Sequence, residues 1–209
     1  MSAIGNQSMN SSNNRFRTQE KLLKSGSFFK FICGAGNEDP EEVYNLSLVY
    51  TLAGAKAIDV SANVEVVQST VRAINDAEKL LDRFKTRDYV RPFITVSVGM
   101  PGDHHVRKAQ IITNKCTECN ACIPVCPTDA IPDILVIIEN RCIGCGACGV
   151  ACQDDSIGYK HKKIELKQVL SECIEAGAEN IELHAAVSDH NQTLNEWKII
   201  NDILPKNFI

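Results

Sequence analysis

Eight of the chain's ten cysteines fall between Cys116 and Cys152. Cys116, Cys119, Cys122 and Cys126 follow C-x2-C-x2-C-x3-C, and adding 26 to each number gives Cys142, Cys145, Cys148 and Cys152 with the same intervals. The flanks repeat as well: Asn114-Lys115 and Asn140-Arg141 precede the two runs, and Ala130-Ile131 and Ser156-Ile157 follow them. This is an internal duplication. Three thiolates two residues apart can wrap one face of a cubane cluster, while the fourth, displaced by three more residues, points toward a neighbouring cluster. The spacing therefore predicts two 4Fe-4S clusters with crossed ligand sets. Cys116, Cys119, Cys122 and Cys152 hold the first, and Cys142, Cys145, Cys148 and Cys126 the second. Small residues between the ligands (Ala121, Gly144, Gly146, Ala147, Gly149) let backbone N–H groups approach the sulfurs. Ile123, Val125, Ile131, Ile143, Val150 and Ile157 are expected to exclude water. Pro127 after Cys126 suits a sharp exit turn, whereas Gln153 follows Cys152. Zinc also takes four thiolates, but its knuckles stand well apart, and here four cysteines crowd into eleven residues twice.

Composition sets the chemistry available to these thiols. A chain of 209 residues, 44% hydrophobic and 23% charged, can bury one or two cores. No apolar run approaches the roughly 18 residues of a membrane span, and the start lacks a secretory apolar segment. The expected setting is the cytoplasm, where thiols stay reduced and bind metals rather than pair as disulfides. The opening of the chain, from Met1 to Glu20, is rich in Ser and Asn and reads as part of a disordered tail over 1–25. It is also acid-poor with two arginines, so an organelle-targeting peptide and a plastid stromal location are the alternative. A net charge of −4 argues against general nucleic-acid binding.

The elements around the cysteines follow an alternating grammar. "FFKFICGAG" reads as a buried strand; Asp39-Pro40-Glu41 then supplies an N-cap, a first-turn proline and an acid, opening a helix that Gly54 stops. "AKAIDVSA" is a second strand, Val64, Val67, Val71, Ile74 and Leu81 recur at helical spacing, and "RPFITVSVGM" is a third strand. After the cysteines, "IELKQVLSECIEAGAENIELHAA" resumes with helix, turn and strand, and a last helix carries Leu194, Trp197, Ile200 and Ile203 before Pro205. The fold class is α/β: a partial, TIM-barrel-like parallel sheet over 26–103 and 164–209, with an α+β dicluster ferredoxin-like domain inserted at 104–163. Only about four of the eight units of a full barrel are present, so an edge near Ile181 is expected to recruit a second copy or another chain.

The stretch from Cys116 to Cys152 resembles a bacterial 2x(4Fe-4S) ferredoxin over residues 108 to 160. The chain as a whole is similar to the LdpA family, the light-dependent period proteins of cyanobacteria. "FICGAGNEDPEEVYNLSLVYTLAGAKAIDVSANVEVV", "ITVSVGM", "VRKAQI", the cysteine runs and "ELHAAVSDHNQTLNEWKIINDILPKNF" carry that likeness. The resemblance implies an iron-sulfur protein that reports redox state to the circadian clock through a redox or signalling partner, rather than an enzyme. Generic ferredoxin chemistry offers a second function, an electron-transfer module serving an oxidoreductase, and a purely structural cluster protein is the third. An autonomous flavoenzyme is disfavoured, because the loops after strands seven and eight that hold a cofactor phosphate are missing.

Other residues invite weighing. Asn37, Asp59, Ser61, Ser97, Glu182 and His184 lie at predicted strand ends, where barrel enzymes keep their chemistry, yet a polar mouth in contact with water has the same composition. No catalytic residue is assigned from it. Gly34-Ala35-Gly36 lacks the third glycine of a dinucleotide fingerprint and reads as a turn. Cys33 and Cys173 sit on apolar elements and read as core. "HHVRK" at 104–108 and "KHKK" at 160–163 read as solvated linkers at a module junction, with a basic collar that receives an acidic redox partner as the alternative.

Overall fold

The structure, a computed structural model, describes residues 4–84, 88–100, 102–161, 164–185, 187 and 189–204. Four strands, β1 (Lys30–Ile32), β2 (Ala57–Ser61), β3 (Phe93–Gly99) and, later in the chain, Asn180–His184, form one parallel sheet in that order. Helix α1 (Ile4–Lys24) precedes β1, α2 (Pro40–Leu52) joins β1 to β2, and α3 (Val64–Glu78) with the short α4 (Leu81–Phe84) leads to β3. Leu81 therefore opens a separate turn and does not extend α3, although its spacing suggests that it should.

Between β3 and the last sheet strand the chain builds a second, antiparallel pair. Strand β4 (Arg107–Ile111) and strand β5 (Ile157–His161) match Arg107 to His161 and Ile111 to Ile157, with α5 (Ala147–Ala151) between them in sequence. The chain then returns through α6 (Leu166–Ala176) to β6 (Asn180–His184) and ends its described part in α7 (His190–Ile203). Pro205, expected to stop α7, lies outside the described residues. Among the described residues no helix is long and apolar enough to cross a membrane.

Local chemistry explains the helix starts. Asp39 accepts from the N–H groups of Glu41 and Glu42 with Pro40 at the first position, Asn63 caps α3 and Asp189 caps α7. Gly54 follows α2 at φ +92°, a left-handed turn that glycine adopts without steric penalty. Strands β2 and β3 are buried on both faces, as the centre of a parallel sheet must be. One face is apolar: Ile58, Val60, Ile94, Val96 and Val98 pack with Val66, Val67 and Ile74 of α3, Leu170 and Cys173 of α6, and Ile200 of α7.

The other face is polar, with Asp59, Ser61, Thr95, Ser97 and Asn180 all buried. Part of it is covered by the segment expected to be a disordered tail. Helix α1 reaches that face through Arg15, whose guanidinium lies 3.7 Å over the Phe93 ring and makes two 2.7 Å bonds to the Glu179 carboxylate. It also donates to the carbonyl of Arg91 at 2.8 Å. Composition points to disorder because the partners of Arg15 lie far along the chain and stand beside it only once the sheet has formed.

Candidate metal centre

The duplication seen in the cysteine spacing extends to the backbone. Glu118 and Asn120 take φ of 58° and 65°, and their counterparts in the second run, Gly144 and Gly146, take 68° and 89°. Asp129 and Asp155 match at 49° and 48°. Left-handed residues at these points coil each loop so that successive cysteines turn inward. The N–H of Ala130 points at Cys126 Sγ and the N–H of Ser156 at Cys152 Sγ, each at 3.3 Å, again one repeat apart.

The tertiary fold sorts the eight sulfurs into two hollows. One is lined by Cys116, Cys119, Cys122 and Cys152 together with Ile111, Ile134, Leu135 and Ile157. Around the other stand Cys126, Cys142, Cys145 and Cys148 with Ala109, Ala130, Ile131 and Ile137. All ten cysteines are free thiols. Four soft sulfur donors in an apolar hollow are the donor set of an iron-sulfur cluster, and the N–H groups aimed at sulfur favour thiolate. At Cys152 the hydroxyl of Ser156, 3.0 Å away, and its N–H hold the thiol below its ordinary pKa. The residues present thus fit 4Fe-4S binding.

The apolar shell differs in part from expectation. Ile131 is buried and Ile123 and Ile157 pack against the same small core, but Val150 is 91% exposed and Val125 is exposed too. Val150 stands two residues from Cys148 on α5, and positions two apart on a helix face in different directions. Inward-facing Tyr159 takes the place that Val150 was expected to fill, its hydroxyl 3.9 Å from Cys148 Sγ and its ring 3.9 Å from the Arg107 guanidinium.

Gly144 is the tightest joint of the second loop. A Cβ there would meet the Arg107 carbonyl at 2.5 Å and the His104 carbonyl at 2.7 Å, besides the cost of its positive φ. Gly144→Ala should therefore destabilise the folded protein by about 2–4 kcal/mol, combining left-handed strain with overpacking. Urea unfolding under anaerobic conditions would measure it. A change below about 1 kcal/mol would show that the loop yields freely.

Lys108 joins this loop to the sheet. Its side chain is buried and donates to the carbonyls of Gly36 (2.7 Å) and Cys142 (2.8 Å), with Glu38 at 3.2 Å. Arg141 reaches Asp39 at 3.1 Å, and the Glu38 N–H donates to the Asn140 carbonyl at 3.0 Å. The alternative of a basic collar is not assembled by these residues. Lys108 is interior, Arg107 engages Tyr159 and the Gly144 carbonyl, and Lys160 pairs with Glu139. Lys162 and Lys163 lie outside the described residues. Sequence reading missed Lys108, since nothing in "HHVRKAQI" marks one lysine as buried.

Of the strand-end residues, Asp59, Ser97 and Glu182 come together, and Lys30 of β1 completes the group. Ser97 donates to Asp59 at 2.5 Å, and Lys30 bonds Asp59 Oδ2 at 2.9 Å and pairs with Glu182. Burial pushes the Asp59 carboxyl above its ordinary range, with Ser97 and Lys30 offsetting part of the rise. Burial would pull Lys30 down, but its bonds to Glu182 and Asp59 outweigh that and hold it above its usual value. A lysine kept charged by two carboxylates is a poor nucleophile, so the group reads as an ion-pair network. Asn37 instead faces Glu42 at 3.3 Å, and the buried Ser61 hydroxyl has no hydrogen-bond partner among the described residues. His184 lies near Glu182 and Asp103. Burial pushes the Cys33 thiol up to about 12 and the Cys173 thiol up to about 11, so both remain neutral thiols, away from the two hollows.

Comparison with known proteins agrees with this geometry. The 4Fe-4S binding domain family matches residues 109–131 and 135–157, one copy for each half of the duplication. Light dependent period A of Synechococcus elongatus is 34% identical over 188 residues, which cover 89% of this chain and 51% of that protein. The chain thus spans about half the length of this relative. No solved structure matches significantly. Both cysteine runs lie inside the matched 4Fe-4S binding family, and the likeness to Light dependent period A, over 188 residues, extends across the flanking α/β elements, so the chain is similar to that protein well beyond its cysteine motifs.

Proposed function

We propose that this protein carries two 4Fe-4S clusters and uses them to sense redox state and signal it to a protein partner, as an input to a circadian clock. The observation that carries the reading is the sorting of the eight cysteines into two hollows. Each hollow draws three sulfurs from one run and the fourth from the other, which supports crossed ligation by Cys116, Cys119, Cys122 and Cys152, and by Cys142, Cys145, Cys148 and Cys126. The clusters supply reversible one-electron chemistry when bound. What the chain adds is a rigid coupling. Lys108 ties the carbonyl of a cluster ligand, Cys142, to the Gly36 loop, so a change in the loop is felt at the end of β1. The clock role rests on the relationship to Light dependent period A.

The scaffold in this reading is a partial (βα) barrel over 26–103 and 164–209, interrupted by the cluster module at 104–163. Support comes from the helices: α2 packs on α3, α3 on α6 and α6 on α7, in the order of the strands they accompany. Strand β6 ends the sheet, and exposed Leu194, Trp197 and Ile199 on α7, which packs on α6, suit a second copy or another chain. The site of action is the cytoplasm, or a plastid stroma.

Electron transfer to an oxidoreductase is the second reading. Cys119 and Cys145, one from each proposed ligand set, are exposed, which would bring both clusters near the surface for exchange. The test is chemical analysis of anaerobically purified protein, EPR of the reduced form and a pull-down in each redox state. About eight iron and eight acid-labile sulfides per chain are expected from two cubanes. Cys126→Ala should disturb the signal of the cluster held by Cys142, Cys145 and Cys148 and leave the other largely intact. Stoichiometric zinc without sulfide would sink the cluster reading. Loss of the first cluster alone in the variant would mean that each motif closes on itself. Partners captured equally in both redox states would favour electron transfer over sensing.

A further inference from the structure

The β3–β4 connection carries a group of side chains that the iron-sulfur reading does not use. Asp103 is completely buried, and its Oδ1 accepts from the backbone N–H of His105 at 2.9 Å and meets the His105 ring Nδ1 at 2.8 Å. Its Oδ2 is equally buried and has no hydrogen-bond partner among the described residues. A buried carboxylate oxygen in that state costs free energy unless something positive faces it. His184, at the end of β6, places its Nδ1 3.7 Å from that oxygen.

That separation is too long for a hydrogen bond. It is close to the spacing of about 3.4 Å between two ligands that share a tetrahedral ion at bond lengths of about 2.1 Å. The other ring nitrogen of His184 lies 3.2 Å from Glu182 Oε1. A carboxylate behind a histidine is the usual way a metal-binding imidazole is oriented and made more basic. Glu182 is itself anchored by Lys30. The ligand atoms of Asp103, His104 and His105 lie within 4.8 Å of one another, and the rings of His105 and His184 stand 5.4 Å apart edge-on.

We propose that Asp103, His105 and His184, with His104 at the rim, form a binding site for one divalent transition-metal ion of the zinc or ferrous type, separate from the cysteine hollows. One carboxylate and two imidazoles suit zinc, iron or their neighbours, whereas magnesium and calcium take all-oxygen sets. Sequence separation explains why "GDHHV" reads only as a polar linker: its third donor, His184, comes from far along the chain and arrives through the β3–β6 pairing, in which Gly99 sits beside His184. A metal here would pin the entry to the cluster module against the end of β6.

The test uses the cluster-loaded protein, stripped of loosely bound metal by brief anaerobic dialysis against a chelator and then equilibrated with Zn2+. Iron and zinc are counted on the same sample. One zinc per chain should be retained while iron is unchanged. His105→Ala/His184→Ala should lower zinc affinity at least 100-fold with iron retained, and Glu182→Gln, which keeps every donor, should lower it about 10-fold. No retained zinc, or full retention in the double variant, would overturn the site. Zinc lost only together with iron would assign it to the cysteines and overturn it equally. Because iron is counted independently, failure here leaves the iron-sulfur reading untouched.

Discussion

Stripping iron and sulfide from the protein should lower its melting temperature by roughly 10 °C or more and leave residues 107–161 without stable structure. The cluster region has little else to hold it. Its buried core consists of Ala109, Ala130, Ile131, Cys142 and Cys148, and its regular structure is one two-stranded ladder and the five-residue α5. A two-stranded ladder is marginal on its own, and metal-ligand bonds in such small domains contribute on the order of 10 kcal/mol. The α/β part would then lose the contacts through Lys108 and Arg141, and a loss of about 3–5 kcal/mol shifts melting by about 2–4 °C per kcal/mol in a chain of this size. With β6 open at the sheet edge, the apo protein should also self-associate. Calorimetry and sedimentation of the two forms decide the matter. An apo form that stays monomeric and melts where the holo form does would show that the sheet is self-sufficient.

Lys108→Ala should be among the most damaging single changes outside the cysteines, costing about 3–5 kcal/mol. The substitution removes a buried cation from beside Glu38 and takes a donor from the carbonyls of Gly36 and Cys142. Both carbonyls lie at the joint between the sheet and the second cysteine loop. Lys160→Ala, which loses only the exposed pair with Glu139, should cost less than about 1 kcal/mol and serves as the control. Equilibrium unfolding in urea, followed separately by cluster absorbance and far-UV circular dichroism, measures both. Equal small effects for the two lysines would mean that the joint contributes little. A Lys108 variant whose cluster absorbance is lost at lower urea than its helical signal would locate the weakness at the joint.

Elements whose cause is local were legible in the sequence. The strands β1, β2, β3 and β6 and the helices α2, α3, α6 and α7 announce themselves through apolar period, through the cap Asp39, and through the turn at Gly54. The duplication of the cysteine runs is legible for the same reason: two runs of identical spacing stand close together in the chain, and such spacing restricts how thiolates can meet. Even the left-handed turns repeat from loop to loop, although Glu118 and Asn120 conceal what Gly144 and Gly146 advertise.

Helix α1 stayed hidden because the value of Arg15 lies in Glu179 and Phe93, which adjoin it only after the sheet is assembled. Val150 was misplaced because apolar character does not say which side of a five-residue helix faces inward. The burial of Lys108, the sharing of Lys30 between Asp59 and Glu182, and the meeting of Asp103 with His184 all join side chains that stand far apart in the sequence. The chemistry of the thiols and the alternation of strand and helix follow from the order of amino acids alone, since both depend on neighbours within a few residues. Which charged side chains are buried, and against whom, follows only from the assembled fold, because desolvation and pairing are properties of the surroundings that parallel strands and packed loops bring to a residue.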